Sequence, residues 1–135
     1  MTDTIAFVRK PGLSFTKAIS SHPEKQTINI DRACSQHQCY VDALEENGIE
    51  VITFPALDSY PDAPFIEDTT VILDNVAVAC SNKEKSRQGE GKSIHAKIKE
   101  YRRLETLPKS AFLDGGDVLN TEKKLFVGIS SRTNL

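Results

Sequence analysis

With 135 residues, the chain is long enough for one domain with its own core, and its net charge of −2, spread over interspersed signs, leaves no electrostatic footprint for nucleic acid or an anionic membrane. No apolar run approaches the roughly 18 residues that a bilayer span needs. Residues 1–10 lack the charged start and apolar core of a signal peptide, and three cysteines, an odd number, point to free thiols in a reducing, cytoplasmic setting.

In chain order, Ile5-Ala6-Phe7-Val8 reads as a short buried strand stopped by Pro11-Gly12. Residues 13–31 are weakly periodic and broken at His22-Pro23, a long connection of the kind that serves as a lid or binding loop. A helix is expected from Asp31, which can cap it. Ala33, His37, Tyr40, Val41 and Leu44 recur at helical spacing, and Asn47-Gly48 supplies the stop. Glu50 to Phe54 is a strand closed by Pro55, and residues 57–64 form a turn-rich loop. The runs 65–73 and 76–80, joined by Asp74-Asn75, predict a hairpin. A second helix is expected over 91–104, with Ile94, Ile98, Tyr101 and Leu104 as its apolar stripe. Pro108 ends that region, and residues 113–130 form a second acidic hairpin.

The two hairpins are related by a repeat. Glu67-Asp68 precedes one and Gly116-Asp117 the other, and Val76-Ala77-Val78 corresponds to Leu125-Phe126-Val127, all at an offset of 49 residues. Each hairpin is followed by an arginine, Arg87 or Arg132, and the Ile5–Val8 strand with Arg9 resembles the same unit with a longer loop. The alternative, an ordinary α/β domain with coincidental similarity, stays open at this level, because strand–helix alternation is common.

The residue types suggest a site for a zwitterion with a cationic end. Acids in turns usually cap backbone N–H groups or face solvent, which is the plainer account of Asp62, Glu67, Asp68, Asp114 and Asp117. Glu67-Asp68, however, sits between apolar pairs, where unpaired carboxylates cost several kcal/mol unless a cation compensates. A planar guanidinium fits carboxylate oxygens two at a time. Arg87 and Arg132 are placed to bind an α-carboxylate, and Gly115-Gly116 would allow close backbone approach or a positive φ. Cys34, His37 and Cys39 do not share one helical face and no fourth ligand follows, so no metal is expected. His22 and His95 read as structural and Cys80 as core, although a local Cys–His nucleophile pair remains open.

The segments Phe65-Ile66-Glu67-Asp68-Thr69, Ser86-Arg87, Leu113-Asp114-Gly115-Gly116-Asp117-Val118-Leu119 and Phe126-Val127-Gly128-Ile129-Ser130-Ser131-Arg132-Thr133-Asn134 resemble the N-terminal half of dimethylarginine dimethylaminohydrolases. These belong to the guanidino-group-modifying superfamily with arginine deiminases and amidinotransferases. The resemblance implies the α/β pentein fold, a propeller of five ββαβ units, with about two and a half units in a single domain over residues 1–135. It implies hydrolysis of Nω-methylated arginine to citrulline and a methylamine without a cofactor or metal. A cysteine attacks the guanidinium carbon, and a histidine protonates the leaving amine and then activates water.

By the same resemblance, Asp114 is the acid of a Cys-His-acid group and Asp62, Glu67 and Asp68 are substrate-side carboxylates, Asp68 the direct guanidinium ligand. Arg87 and Arg132 bind the substrate carboxylate, and loop 11–24 is the lid. The family's histidine and cysteine match no residue here, so a truncated, substrate-binding chain that is inactive alone is expected. The alternatives are a non-catalytic module that self-associates or pairs with a separate C-terminal half, part of an arginine deiminase or amidinotransferase relative, or an enzyme using a local cysteine.

Overall fold

In the computed structural model, which describes residues 4–24, 27–121 and 123–134, the chain divides between Pro64 and Phe65 into two units. In the first, β1 (Ile5–Arg9) pairs parallel with β2 (Glu50–Phe54), Ile5 opposite Glu50 and Arg9 opposite Phe54. Parallel strands require a crossover, supplied by α1 (Ile30–Glu46). Val8, Val41 and Ala63 are buried, and the Phe7 and Phe54 rings meet edge-on with centroids 5.5 Å apart.

The expected helix start is corrected by two residues. Asn29, not Asp31, is the cap, its side-chain oxygen accepting from Arg32 N at 2.8 Å, while Asp31 lies in the first turn, where it suits the positive end of the helix. The stop is as expected, with Gly48 at φ 76°. Within the long connection, Leu13–Lys17 forms a 3-10 turn. Two acids of the 57–64 loop tie it down: Asp58 Oδ1 accepts from Ser14 N at 3.2 Å and Asp62 Oδ1 from Ile19 N at 3.0 Å.

In the second unit, β3 (Thr70–Ile72) and β4 (Val76–Ala79) form the expected hairpin around Asp74-Asn75. Its first strand is shorter than the predicted run 65–73. Ile66–Thr69 forms a 3-10 turn instead, in which Thr69 Oγ1 donates to Ile66 O at 2.7 Å and Glu67-Asp68 leave the strand alternation. The second predicted helix is also shorter: α2 spans Lys92–Ile98, and Arg103–Thr106 is strand β5, parallel to β4 with Leu104 opposite Ala77. Leu104 fits a helical stripe by spacing, but it also fits the period-2 pattern Arg103-Leu104-Glu105-Thr106, and pairing with β4 decides between them. β3, β4, α2 and β5 thus make one ββαβ unit. Ile94 and Ile98 of α2 are buried, as are Val71, Ala77 and Ala79 of the sheet. Full burial of each isoleucine or valine is worth about 1.5–3 kcal/mol.

The second hairpin, β6 (Val118–Asn120) with β7 (Leu125–Val127), keeps the repeat. A 3-10 turn, Gly115–Asp117, precedes it as Ile66–Thr69 precedes β3, and both turn starts and strand starts (Val76, Leu125) preserve the 49-residue offset. Among the described residues no helix is long and apolar enough to cross a membrane.

Candidate functional site

Five of the six expected site residues, Glu67, Asp68, Arg87, Asp114 and Arg132, fall in the second unit, where the two 3-10 turns pack together. The sixth, Asp62, is buried in the first unit and holds Ile19 N.

Glycine at 115 makes the packing of the turns possible: a Cβ there would lie 2.0 Å from Glu67 O and 3.2 Å from Asp68 Cα. Neither Gly115 nor Gly116 has the positive φ that the sequence allowed for, so their shared need is closeness. Above Gly116, the position a Cβ would take is 2.9 Å from Asp68 Oδ1, 3.0 Å from Asp114 Oδ1 and 3.9 Å from Arg132 Nη2. A side chain at 116 would press on both carboxylates, so Gly116 lets Asp68 and Asp114 lie close over the turn with Arg132 nearby.

Arg87, in a 3-10 turn after β4, is 6% exposed. Its Nη1 donates to Asp68 Oδ2 at 2.7 Å and stands 3.9 Å from Asp114 Oδ2. Its Nε donates to Glu90 Oε1 at 2.9 Å, and Nη2 contacts the same oxygen. Burial opposes the charge on Arg87, but the hydrogen bonds to Glu90 and Asp68 outweigh it and hold the group above its ordinary value.

Asp114 is 2% exposed; its Oδ1 accepts from Gly116 N at 2.9 Å and Oδ2 pairs with Arg132 Nη1 at 3.2 Å. Burial, then the charge of Asp68, raises its carboxyl above the usual range. Glu67 is raised as well, first by desolvation, with repulsion from Asp68 and Asp114 adding to it. Asp117 is lowered by the hydroxyls of Ser130 and Thr133, each donating to Oδ2 at 2.6 Å, while its Oδ1 meets Arg132 Nη2 at 3.2 Å.

The segment 130–134 is built to hold Arg132 in place. Ser130 Oγ accepts from Arg132 N and Thr133 N, Thr133 Oγ1 accepts from Asp114 N at 3.1 Å, and Asn134 Oδ1 accepts from Phe112 N at 2.7 Å. Arg132 itself keeps 44% of its side chain exposed. Arg9 repeats the strand-end theme in the first unit, where it is buried, donates to Pro55 O at 2.9 Å and lies over the Phe54 ring.

Sequence reasoning missed Glu90, which is 1% exposed and the second carboxylate on Arg87. The signal available was an acid three residues after the arginine, with Gly89 (φ 97°) turning the chain back between them. It also assigned no role to Ser130 and Thr133. Cys80 lies beside the cluster. Burial, then Asp114 and Asp68, pushes its thiol up to about 12, so it stays protonated at neutral pH and is no activated nucleophile. Cys34 and Cys39 are exposed free thiols on α1, and His95 bonds Thr69 O at 3.0 Å in the structural role expected of it.

Comparison with known proteins gives the arrangement a family. Residues 13–135 match a profile described as "N,N dimethylarginine dimethylhydrolase, eukaryotic". A dimethylarginine dimethylaminohydrolase of Streptomyces coelicolor is 30% identical over 130 residues, covering 96% of this chain and 50% of the relative. One of Pseudomonas aeruginosa is 26% identical over 129 residues, with 93% and 50% covered. The solved Pseudomonas aeruginosa enzyme, a mutant in complex with citrulline, superposes with a TM-score of 0.93 at 22% identity, over 99% of this chain and 53% of that one. The N-terminal domain of ArgZ, a cyanobacterial arginine dihydrolase bound to product, gives 0.83 at 20% identity, over 98% and 51%. These likenesses show the α/β pentein fold, and the chain spans about half the length of the curated relatives it matches. A profile running through both segments that build the cluster, across nearly the whole sequence, leaves one assignment: the chain belongs to the dimethylarginine dimethylaminohydrolase family.

Proposed function

We propose that this chain binds a guanidino amino acid, a methylated arginine or arginine, at the second unit's cluster, as the substrate half of a hydrolase forming citrulline. One observation carries the reading. Four carboxylates (Asp68, Glu90, Asp114, Asp117) share two guanidinium groups (Arg87, Arg132) with Glu67 beside them, and Glu67 and Asp114 are held above their usual range, first by burial and then by the neighbouring carboxylates. Such a surplus favours a further cation, and a guanidinium suits paired carboxylates best. Asp68 takes the ligand's guanidinium with Glu67 beside it. Arg132, the more exposed arginine, takes the α-carboxylate with Arg87 behind it; Asp62 lies in the first unit, where it holds Ile19. Asp114 serves as the acid of the Cys-His-acid group. The thiol of that group is none of the three cysteines here, since Cys80 is held protonated and Cys34 and Cys39 match no family position.

Calorimetry tests this directly. L-arginine and asymmetric dimethylarginine should bind the 135-residue chain and lose binding in Arg132→Ala, with no citrulline released. Absence of binding by the wild type, or turnover by this chain alone, sinks the reading.

A second reading, association with another copy or with a separate C-terminal half, is favoured by the β6–β7 hairpin, where Leu119, Leu125, Phe126, Val127 and Ile129 are all exposed. Light scattering should find an associated species that Phe126→Lys disperses, and a wild type that is monomeric at every concentration would overturn it.

A further inference from the structure

Glu90 is the one fully buried carboxylate of the cluster that lies off both acidic turns. Its Oε1 receives Arg87 Nε at 2.9 Å and contacts Nη2, which engages one edge of the guanidinium. The opposite nitrogen, Nη1, is the one that reaches Asp68 Oδ2 at 2.7 Å. The other Asp68 oxygen, Oδ1, lies over the Gly116 backbone, 2.9 Å from where a Cβ would stand. Among the described residues, Asp68 Oδ1 accepts no hydrogen bond.

The charges follow the same order. Arg87 carries a single positive charge, and with Glu90 against it that charge is already largely balanced before Asp68 is counted. Asp68 then keeps most of its own negative charge, on the oxygen that Arg87 does not take, for the cationic end of a ligand. Without the Glu90 charge, Arg87 would be balanced chiefly by Asp68, with Asp114 farther off at 3.9 Å, and would cancel most of the Asp68 charge.

We infer that Glu90 is a positioning residue that orients Arg87 and offsets its charge, so that Asp68 stays a net anion aimed at the ligand's cationic end. The inference rests on the guanidino reading above and adds to it the residue that sets the preference for a charged side chain over a neutral one. Glu90 makes no contact with the ligand in this account. Its effect reaches the site through Arg87 and Asp68.

The test compares wild type, Glu90→Gln and Glu90→Asp in calorimetric titrations with L-arginine and with its neutral analogue L-citrulline. Glu90→Gln, which keeps the shape and removes the charge, should weaken arginine binding about tenfold, the scale of one charge-assisted contact, and change citrulline binding less than about twofold. Glu90→Asp should restore most of the preference for arginine. Equal losses for both ligands would mark Glu90 as merely structural and overturn the inference, as would arginine binding unchanged in Glu90→Gln. If Glu90→Gln yields no folded protein, Glu90→Asp carries the test through its shorter arm: a few-fold loss for arginine alone supports the role, and parallel losses refute it. Failure of the wild type to bind arginine removes the guanidino reading and this inference together, whereas binding that survives Glu90→Gln removes only the inference.

Discussion

Arg87→Ala should cost about 3–5 kcal/mol of stability at neutral pH, the range for removing one partner of a buried ionic group. The side chain is 6% exposed and is the common partner of Asp68 and Glu90, with Asp114 at 3.9 Å. Alanine leaves these carboxylates facing one another with Arg132 as the remaining cation, already bound to Asp114 and Asp117.

The pH dependence of that loss has a definite sign. Asp114 and Glu67 are raised in the native protein even with Arg87 present, so the folded state binds protons more readily than the unfolded chain above their ordinary values of 3.8 and 4.5. Arg87 lowers both acids, so removing it raises them further. A group raised on folding favours the folded state more as pH falls through its folded value, so the Arg87→Ala deficit should shrink on acidification. Asp117 works the other way. Its lowered value gives stability above its ordinary 3.8 that is lost as pH falls through the depressed folded value. Arg87 is not among the groups that lower Asp117, so that loss is common to both proteins: each should lose stability at low pH while the difference between them goes on shrinking. Urea unfolding across pH reads both limbs, and a deficit independent of pH would show that Arg87 acts by packing and not by charge.

Much of this cluster was legible because the repeat put it in register. Glu67-Asp68 and Gly116-Asp117 fall at equivalent places in two turn–hairpin units, and the structure keeps both the offset and the arginines after each hairpin. Glu90 was not legible for a physical reason. It lies in a polar, glycine-flanked stretch with no hydrophobic period, and its partner is three residues back across a positive-φ turn, not on a helical face. The end of α2 failed differently. Ile94, Ile98, Tyr101 and Leu104 satisfy a helical spacing, yet residues 103–106 gain a ladder with β4, an interaction with a partner more than twenty residues away that no local window contains. The start of β3 was misplaced because apolar residues on both sides of Glu67-Asp68 looked like one strand. The carboxylates instead occupy a turn, where they can reach Arg87 and lie against Gly115-Gly116.

On the proposed guanidino reading, Asp68→Asn should separate recognition from folding more sharply than the other substitutions at the site. Asparagine keeps the size of the side chain and an oxygen to accept from Arg87 Nη1, so the melting temperature should move little. The ligand's guanidinium loses its anionic partner, and a hydrogen bond to a charged group is worth about 1.5–3 kcal/mol, or about 10- to 150-fold in L-arginine affinity. The same change reaches Asp114, whose raised carboxyl owes its second-largest contribution to the Asp68 charge. On the proposed guanidino reading, arginine would compete with protons on Glu67 and Asp114 in the wild type, so its affinity should fall, with proton release on binding, as pH drops into the raised range of these acids. In Asp68→Asn the residual binding should hold to lower pH, because Asp114 returns toward its ordinary value. Titrations in two buffers of different ionisation enthalpy measure the released protons. An affinity loss with an unshifted pH profile would uncouple Asp68 from Asp114 and leave the packed turns, not their shared charge, as what the glycine pair is there to bring together.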